Sequence, residues 1–293
     1  MKTEQKINEV QLKLLKWAAR SSQLIGNIFD ECSKRFTPSS FQSDQECHVL
    51  WQLNASCHAT AESSLILVGN VRLWDADVLV RSVVEGTLKF VFLTFGSDSE
   101  RHQKLKEFDN DFAAFGQIRR HQRLKEVLSV VGNPDADEWR PFRDLLLTET
   151  QLEELQKRYP KAMRQKLNQK WSFAEICVAL RSSGQPGYDL FGHMLYNYGM
   201  SSHIAHQDID GIGMVWDRNS RDENRKTAVE VAHGGRLIGD VAIMSLLRAK
   251  SLFKLWNADA KDLKPFTEEL NSILAETAVA GKDFHNVEYG SNK

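Results

Sequence analysis

The sequence predicts an all-α protein: a helical bundle with long antiparallel helices and a less regular middle insertion. Apolar residues recur at helical spacing along most of the 293 residues, and only six prolines interrupt the pattern. No pair of alternating segments indicates a β-sheet. The proportions of hydrophobic (42%) and charged (26%) residues are those of a globular protein. The formal net charge of -1 excludes an overall positive field for nonspecific nucleic-acid binding, but not a local basic patch.

The N-terminal half is predicted to contain four long helices. Apolar side chains at helical spacing predict the first helix over residues 3–36, followed by a loop at 37–44. A second helix is expected from about 46 to 70, and a third from Asp75 or Asp77 to about Phe95. A long charged helix over 99–131 ends where Gly132, Asn133 and Pro134 follow one another.

The C-terminal half is interrupted more often. Residues 134–182 form the irregular part, in which capping-box patterns begin at Thr148 and Ser172. The segments expected after it are a helix over 196–206, a polar glycine-containing loop over 207–221, and helices over 223–256 and 264–280. We therefore predict an N-terminal helix and loop (1–44), a bundle domain with a polar pocket (45–280) and a flexible tail (281–293).

Neither secretion nor membrane insertion is expected. The four cysteines form no CxxC pair, which favours reduced thiols. The charged N-terminus lacks the apolar core of a signal peptide. The most apolar stretch, residues 78–95, carries Arg81, Glu85 and Lys89 and is a poor membrane span. We expect a soluble, cytoplasmic protein with no membrane partner.

A polar stripe interrupts the otherwise apolar third helix. Asp77, Arg81, Glu85 and Lys89 are spaced four residues apart and therefore share one helix face. Charged groups are rarely buried without partners, so this face meets a polar network, a cleft or solvent. Instead of a functional pocket, the stripe could be a solvated face with ion pairs or a buried structural network.

Two other predicted helices carry polar faces that could meet this stripe. His58 and Glu62 lie one turn apart on the second helix, and Tyr196, His203 and His206 share a face of the helix over 196–206. If these faces converge on the stripe, they form one pocket. Periodicity shows which residues share a face but not which helices touch.

The histidine cluster is compatible with three kinds of chemistry. His203 and His206, followed by Asp208 and Asp210, offer nitrogen and oxygen ligands for zinc, iron or manganese. The spacing is neither the HExxH of metalloproteases nor the Glu-x-x-His pair of di-iron bundles. A second option is metal-free RNA cleavage, in which a histidine acts as acid or base while Arg81 holds the phosphate. The third option is recognition of a ligand or partner helix.

Two other motifs are less specific. The basic run over residues 119–125 is usually a solvated helix face, or alternatively a local phosphate contact. His233, Gly234 and Gly235 lie within a helical pattern, where the glycines indicate tight packing or a kink more than a phosphate loop.

Two segments together resemble a bacterial family of helical proteins known only as a domain of unknown function. They are LVRSVVEGTLKF, which contains Arg81 and Glu85, and YNYGMSSHIAH, which contains two tyrosines, a serine and His203. The resemblance would cover roughly residues 45–256. It implies that these side chains lie close together; the tyrosine and serine candidates are Tyr196, Tyr198 and Ser202.

The pattern also resembles the helical bundles of the HEPN superfamily, many of which are toxins or antiphage effectors. Their mark is an arginine four to six residues before a histidine, and this chain departs from it. The nearest arginine before His203 is Arg181, and seven residues separate Arg225 from His233. A ribonuclease assignment therefore needs Arg81 to act from another helix.

The leading hypothesis is a stress or defence effector that cleaves RNA. Its catalytic candidates are His203, His206, Arg81 and Glu85, and its substrate-binding candidates are Tyr196, Tyr198, Ser202, Glu62 and His58. The competing hypotheses are a noncatalytic binding or regulatory module and a metal-dependent hydrolase. No cofactor is expected; RNA, a regulatory protein and a second copy of the chain are the candidate partners.

Overall fold

The computed structural model describes residues 2–185 and 187–290 and confirms the all-α prediction. Within these ranges the regular elements are helices, and no β-strand is present. The helices are α1 (Lys2–Ser33), α2 (Asp44–Gly69), α3 (Leu73–Thr94), α4 (Asp98–Leu105), α5 (Phe112–Val130), α6 (Arg140–Arg143), α7 (Glu149–Arg158), α8 (Lys161–Lys170), α9 (Phe173–Ser182), α10 (Leu190–His206), α11 (Ile209–Asn219), α12 (Glu223–Leu255) and α13 (Lys264–Tyr289).

The chain divides into two compact units. The first unit contains Met1–Thr94 and Cys177–Lys293, and the second contains Phe95–Ile176. The second unit is thus the middle insertion, and it begins at the helix that we predicted over 99–131 and not at residue 134. A π-helical segment, Lys106–Asp111, separates α4 from α5 within that stretch.

Two predicted boundaries differ from the structure. The loop predicted over 207–221 is wrong, because Ile209–Asn219 forms α11. Asp208 caps this helix, since its Oδ1 accepts the amide of Gly211 at 3.1 Å. The last helix continues to Tyr289, beyond the predicted start of the tail at residue 281. Residues 291–293 of that tail lie outside the described residues.

The core of the first unit is built around α12. This helix packs against α1, α3 and α13, while α2 pairs with α1 and α3, and α10 lies against α3 and α11. The side chains of Leu237, Ile238 and Val241 on α12 are fully buried. Gly234 lets α1 approach closely, because a Cβ there would lie 2.5 Å from Leu14 Cδ2. The tight-packing interpretation of this glycine is confirmed.

Over the described part of the chain, no helix combines the length and the low charge that are needed to cross a bilayer.

Candidate functional site

Within the polar stripe of α3, Arg81 and Glu85 contact α10 through one tyrosine, Tyr198. Arg81 Nη2 donates to the hydroxyl of Tyr198 at 3.1 Å, and that hydroxyl donates to Glu85 Oε2 at 2.9 Å. The guanidinium of Arg81 also lies 4.5 Å above the centre of the Tyr198 ring. Lys89 Nζ donates to Glu85 Oε1 at 2.7 Å. The predicted proximity of the Arg81–Glu85 helix and the tyrosine helix is therefore present, through Tyr198.

Asp77 is the centre of a buried network one turn earlier on α3. Its Oδ1 accepts from Ser201 Oγ at 2.7 Å, and its Oδ2 lies 2.7 Å from His233 Nε2 and 2.8 Å from Arg236 Nη2. Burial opposes ionisation, but the hydrogen bond from His233 and the charge of Arg236 outweigh it and lower the pKa of Asp77 to about 2. The carboxylate therefore stays charged and joins α3, α10 and α12.

Arg236 extends this network to a second carboxylate. Its Nη1 donates to Asp240 Oδ2 at 3.1 Å, one turn along α12. Burial raises the pKa of Asp240 to about 6, and the neighbouring Asp77 adds to the effect while Arg236 opposes it. The two carboxyl groups thus share one arginine, but the pKa of Asp77 is lowered and the pKa of Asp240 is raised.

His233 connects the Asp77 network to a cleft on the other side of its ring. Its Nδ1 lies 3.1 Å from Arg218 Nη1. Arginine can only donate, so we assign Nδ1 as the acceptor and Nε2–H as the donor to Asp77. Burial lowers the pKa of His233, although the hydrogen bond to Asp77 opposes this shift. Trp74 packs beside both groups, edge-on to His233 and 4.7 Å below the guanidinium of Arg218.

The cleft beside His233 has a volume of ≈ 260 Å³. We name it the His233 cleft; its lining residues are Val71, Arg72, Leu73, Trp74, Asp75, Arg218, Asn219, Lys226, Val229, Glu230 and His233. Among the residues described, none of its cations Arg72, Arg218 and Lys226 forms an ion pair with a carboxylate. Burial raises the pKa of Glu230, which lies one turn before His233 on α12. Two acid–base groups and three cations without an ion pair therefore line this concavity.

The predicted histidine cluster lies on a solvent-accessible corner between α10 and α11. His203 Nδ1 is 2.7 Å from Asp208 Oδ2 and 4.0 Å from Asp210 Oδ2. One ligand atom from each of these residues lies within 4.8 Å of the others, so they could hold a metal ion. The hydrogen bond that His203 donates to the Asp208 carboxylate raises the pKa of His203. His206 is exposed and does not belong to this group.

The remaining predicted site residues lie apart from these groups. Tyr196 is 76% exposed. His58 stacks on Phe29 of α1 with ring centres 4.3 Å apart, and its Nε2 is 3.7 Å from Glu62 Oε1. Burial lowers the pKa of His58. Ser202 does not line the cavity between Asp77 and Tyr198, whereas its neighbour Ser201 does. Convergence of all three polar faces on one pocket is not observed among these contacts.

Sequence reasoning missed most of the His233 cleft. The segment of His233, Gly234 and Gly235 was interpreted as a site of tight helix packing or a kink. Arg218 was assigned to a loop, but the structure places it in α11. A usable signal was present on α12, where Glu230 and His233 are three residues apart and Arg236 follows after three more. This spacing places an acid, a histidine and an arginine on one face of α12.

One family model matches the chain, and it is described as a family of unknown function (DUF5677). It covers residues 48–224, which is more than half of the chain. The match includes Asp77 and Arg218 and ends before Glu230 and His233. No curated protein and no solved structure gave a match. The similarity to HEPN bundles is not shown by these comparisons. The chain belongs to the DUF5677 family, as the Arg81–Glu85 and Tyr198–His203 segments predicted.

Proposed function

We propose that this protein cleaves RNA by acid–base catalysis in the His233 cleft. The observation that carries the proposal is the position of His233, which is held by Asp77 on one nitrogen and lies beside Arg218 on the other. A carboxylate that fixes one ring nitrogen leaves the other free to accept a proton. The reactive histidine is therefore His233, in place of His203 of the sequence hypothesis.

RNA is the substrate that suits these groups, because it carries its own nucleophile. In the proposed step, His233 Nδ1 takes the proton of a ribose 2′-hydroxyl, whose oxygen attacks the adjacent phosphorus. Glu230, whose raised pKa favours the protonated form, gives its proton to the leaving 5′-oxygen. The products are a 2′,3′-cyclic phosphate and a 5′-hydroxyl end.

The cations of the cleft supply charge stabilisation. Arg218 donates to Nδ1 in the free protein, and a bound phosphate would draw this guanidinium away and free the nitrogen lone pair. Arg72 and Lys226 line the same cleft and would share the charge that develops on the phosphate oxygens. Trp74 supplies an aromatic wall beside them.

The test measures cleavage of a short RNA by wild type, His233→Ala, His203→Ala and Glu230→Gln. We expect His233→Ala to lose about 10²- to 10⁴-fold in rate and His203→Ala to keep the wild-type rate. Circular dichroism checks that each variant is folded. Because His233 is buried, Glu230→Gln is the second test: it should lower the rate and remove the decline at high pH.

The opposite pattern would refute the assignment. Loss of activity in His203→Ala with an unchanged rate in His233→Ala would return catalysis to the histidine cluster. The absence of cleavage by folded wild-type protein would favour the noncatalytic binding module, in which the Asp77 network is purely structural.

A metal-dependent hydrolase is the second candidate, and it is supported by the geometry of His203, Asp208 and Asp210. It predicts that chelation abolishes cleavage and that Asp210→Asn lowers metal content. The proposed role in stress or defence rests only on the resemblance to HEPN bundles.

A further inference from the structure

The second unit carries a concavity bordered by three arginines. We name it the arginine groove; it has a volume of ≈ 500 Å³ and is lined by Gly116, Arg119, Arg120, Arg123, Leu124, Val127 and Phe142. Its lining residues lie on one side of α5, with Phe142 from α6. The basic run of the sequence thus borders a groove and is more than a convex helix face.

Packing on the other side of α5 fixes the direction in which the arginines point. Ile118 is fully buried, and His121 is 6% exposed. The Nδ1 atom of His121 accepts the amide of Leu147 at 3.1 Å, which ties the following loop to the helix. The three arginines lie within two residues of Ile118 or His121 in the sequence, and all three are exposed.

The three arginines of the groove differ from some other cations of the second unit in their lack of an anionic partner among the described residues. In the described part of the chain, neither Arg119, Arg120 nor Arg123 forms an ion pair. Elsewhere in the same unit, Lys170 binds Glu107 at 2.6 Å and Arg140 lies 3.5 Å from Asp144. Like charges four residues apart on a helix repel each other. An anion in the groove would relieve this repulsion.

The chemistry of the groove fits a phosphate chain with bases attached. Each guanidinium presents a planar fork that matches phosphate oxygens. Val127 and Phe142 are each 36% exposed on its apolar wall. Single-stranded nucleic acid is bound by positive grooves that offer an aromatic ring to the bases. An acidic peptide would use the cations but not the aromatic wall.

We propose that the arginine groove binds the backbone of single-stranded RNA. The choice of RNA over other nucleic acids rests on the proposed function, whereas the groove and its unpaired charges do not. The proposal adds a binding surface in the second unit to the chemistry assigned to the His233 cleft.

The test is binding of a fluorescent, single-stranded 2′-O-methyl RNA to the full-length protein, followed by anisotropy at several salt concentrations. The methyl group blocks attack by the 2′-oxygen, so binding is read without cleavage. The test variant is R119A/R120A/R123A. The matched control is K157A/K161A/K166A, which removes the same charge from exposed lysines of the same unit that form no ion pair with any described residue.

We expect the arginine variant to bind at least about 10-fold more weakly, with a salt dependence reduced by about 2 in log–log slope, since each single-strand phosphate contact contributes about 0.7. The lysine control should stay within about 2-fold of wild type. Equal affinity of the arginine variant and wild type would overturn the groove proposal, as would absence of RNA binding by wild type. Neither outcome depends on cleavage, which is judged separately with His233→Ala.

Discussion

Replacing Asp77 by asparagine tests whether the buried network is stabilising. The wild-type carboxylate binds Ser201, His233 and Arg236, and its side chain is 6% exposed. Its pKa falls from 3.8 to about 2, and each pKa unit corresponds to about 1.4 kcal/mol, so the fold favours the charged form by about 2 kcal/mol. Because the pKa is depressed, this contribution is complete above about pH 4 and is lost as the pH falls through about 2.

At pH 7 we expect Asp77→Asn to lower the free energy of unfolding by about 2 to 5 kcal/mol, since Arg236 loses the charge of Asp77 and the asparagine amide offers one acceptor oxygen to the donors that two carboxylate oxygens satisfied. Urea denaturation followed by circular dichroism measures this difference. Asp75→Asn is the matched control, because Asp75 is an exposed carboxylate on the same helix, and it should change stability by less than about 0.5 kcal/mol. Equal stabilities of Asp77→Asn and wild type would refute the reasoning.

Three further predictions concern other positions of the first unit. The raised pKa of Asp240 should make stability fall by about 3 kcal/mol as the pH rises from about 4 to above 6, and Asp240→Asn should remove this slope in urea titrations. Gly86→Ala should cost about 1 to 3 kcal/mol, because its Cβ would lie 2.4 Å from Cys57 Sγ. Thr87→Val should cost about 1 to 3 kcal/mol, because Arg248 Nη1, which donates to Thr87 Oγ1 at 2.6 Å, would lose its partner inside the core.

The glycine and threonine predictions each have a control that should be neutral or stabilising. Gly26→Ala on α1 should be neutral or stabilising, since nothing lies within 4 Å of its added Cβ. Ser63→Ala, at an exposed position of α2, should change stability by less than about 0.5 kcal/mol. A pH slope that persists in Asp240→Asn, or equal effects of Gly86→Ala and Gly26→Ala, would contradict the packing argument.

Helical periodicity predicted the long helices well, because it depends only on apolar residues that recur every three to four positions along the chain. α1, α2, α3 and α12 begin and end within a few residues of the expected limits. The loop predicted over 207–221 failed because its glycines and polar residues indicated a turn. Asp208 caps a helix there instead, and Ile209, Ile212 and Trp216 of α11 are largely exposed.

The sequence by itself determined the fold class and the family, and the family resemblance implied that the Arg81–Glu85 helix lies near a tyrosine of α10. These depend on local spacing and on short motifs, which the chain carries directly. Only the tertiary structure decided that Asp77 binds His233, 156 residues away, and that His233 borders a cleft with Arg218. Helix periodicity gives the face of each residue but not the helix that covers it, because burial and hydrogen bonding arise only when distant segments pack together.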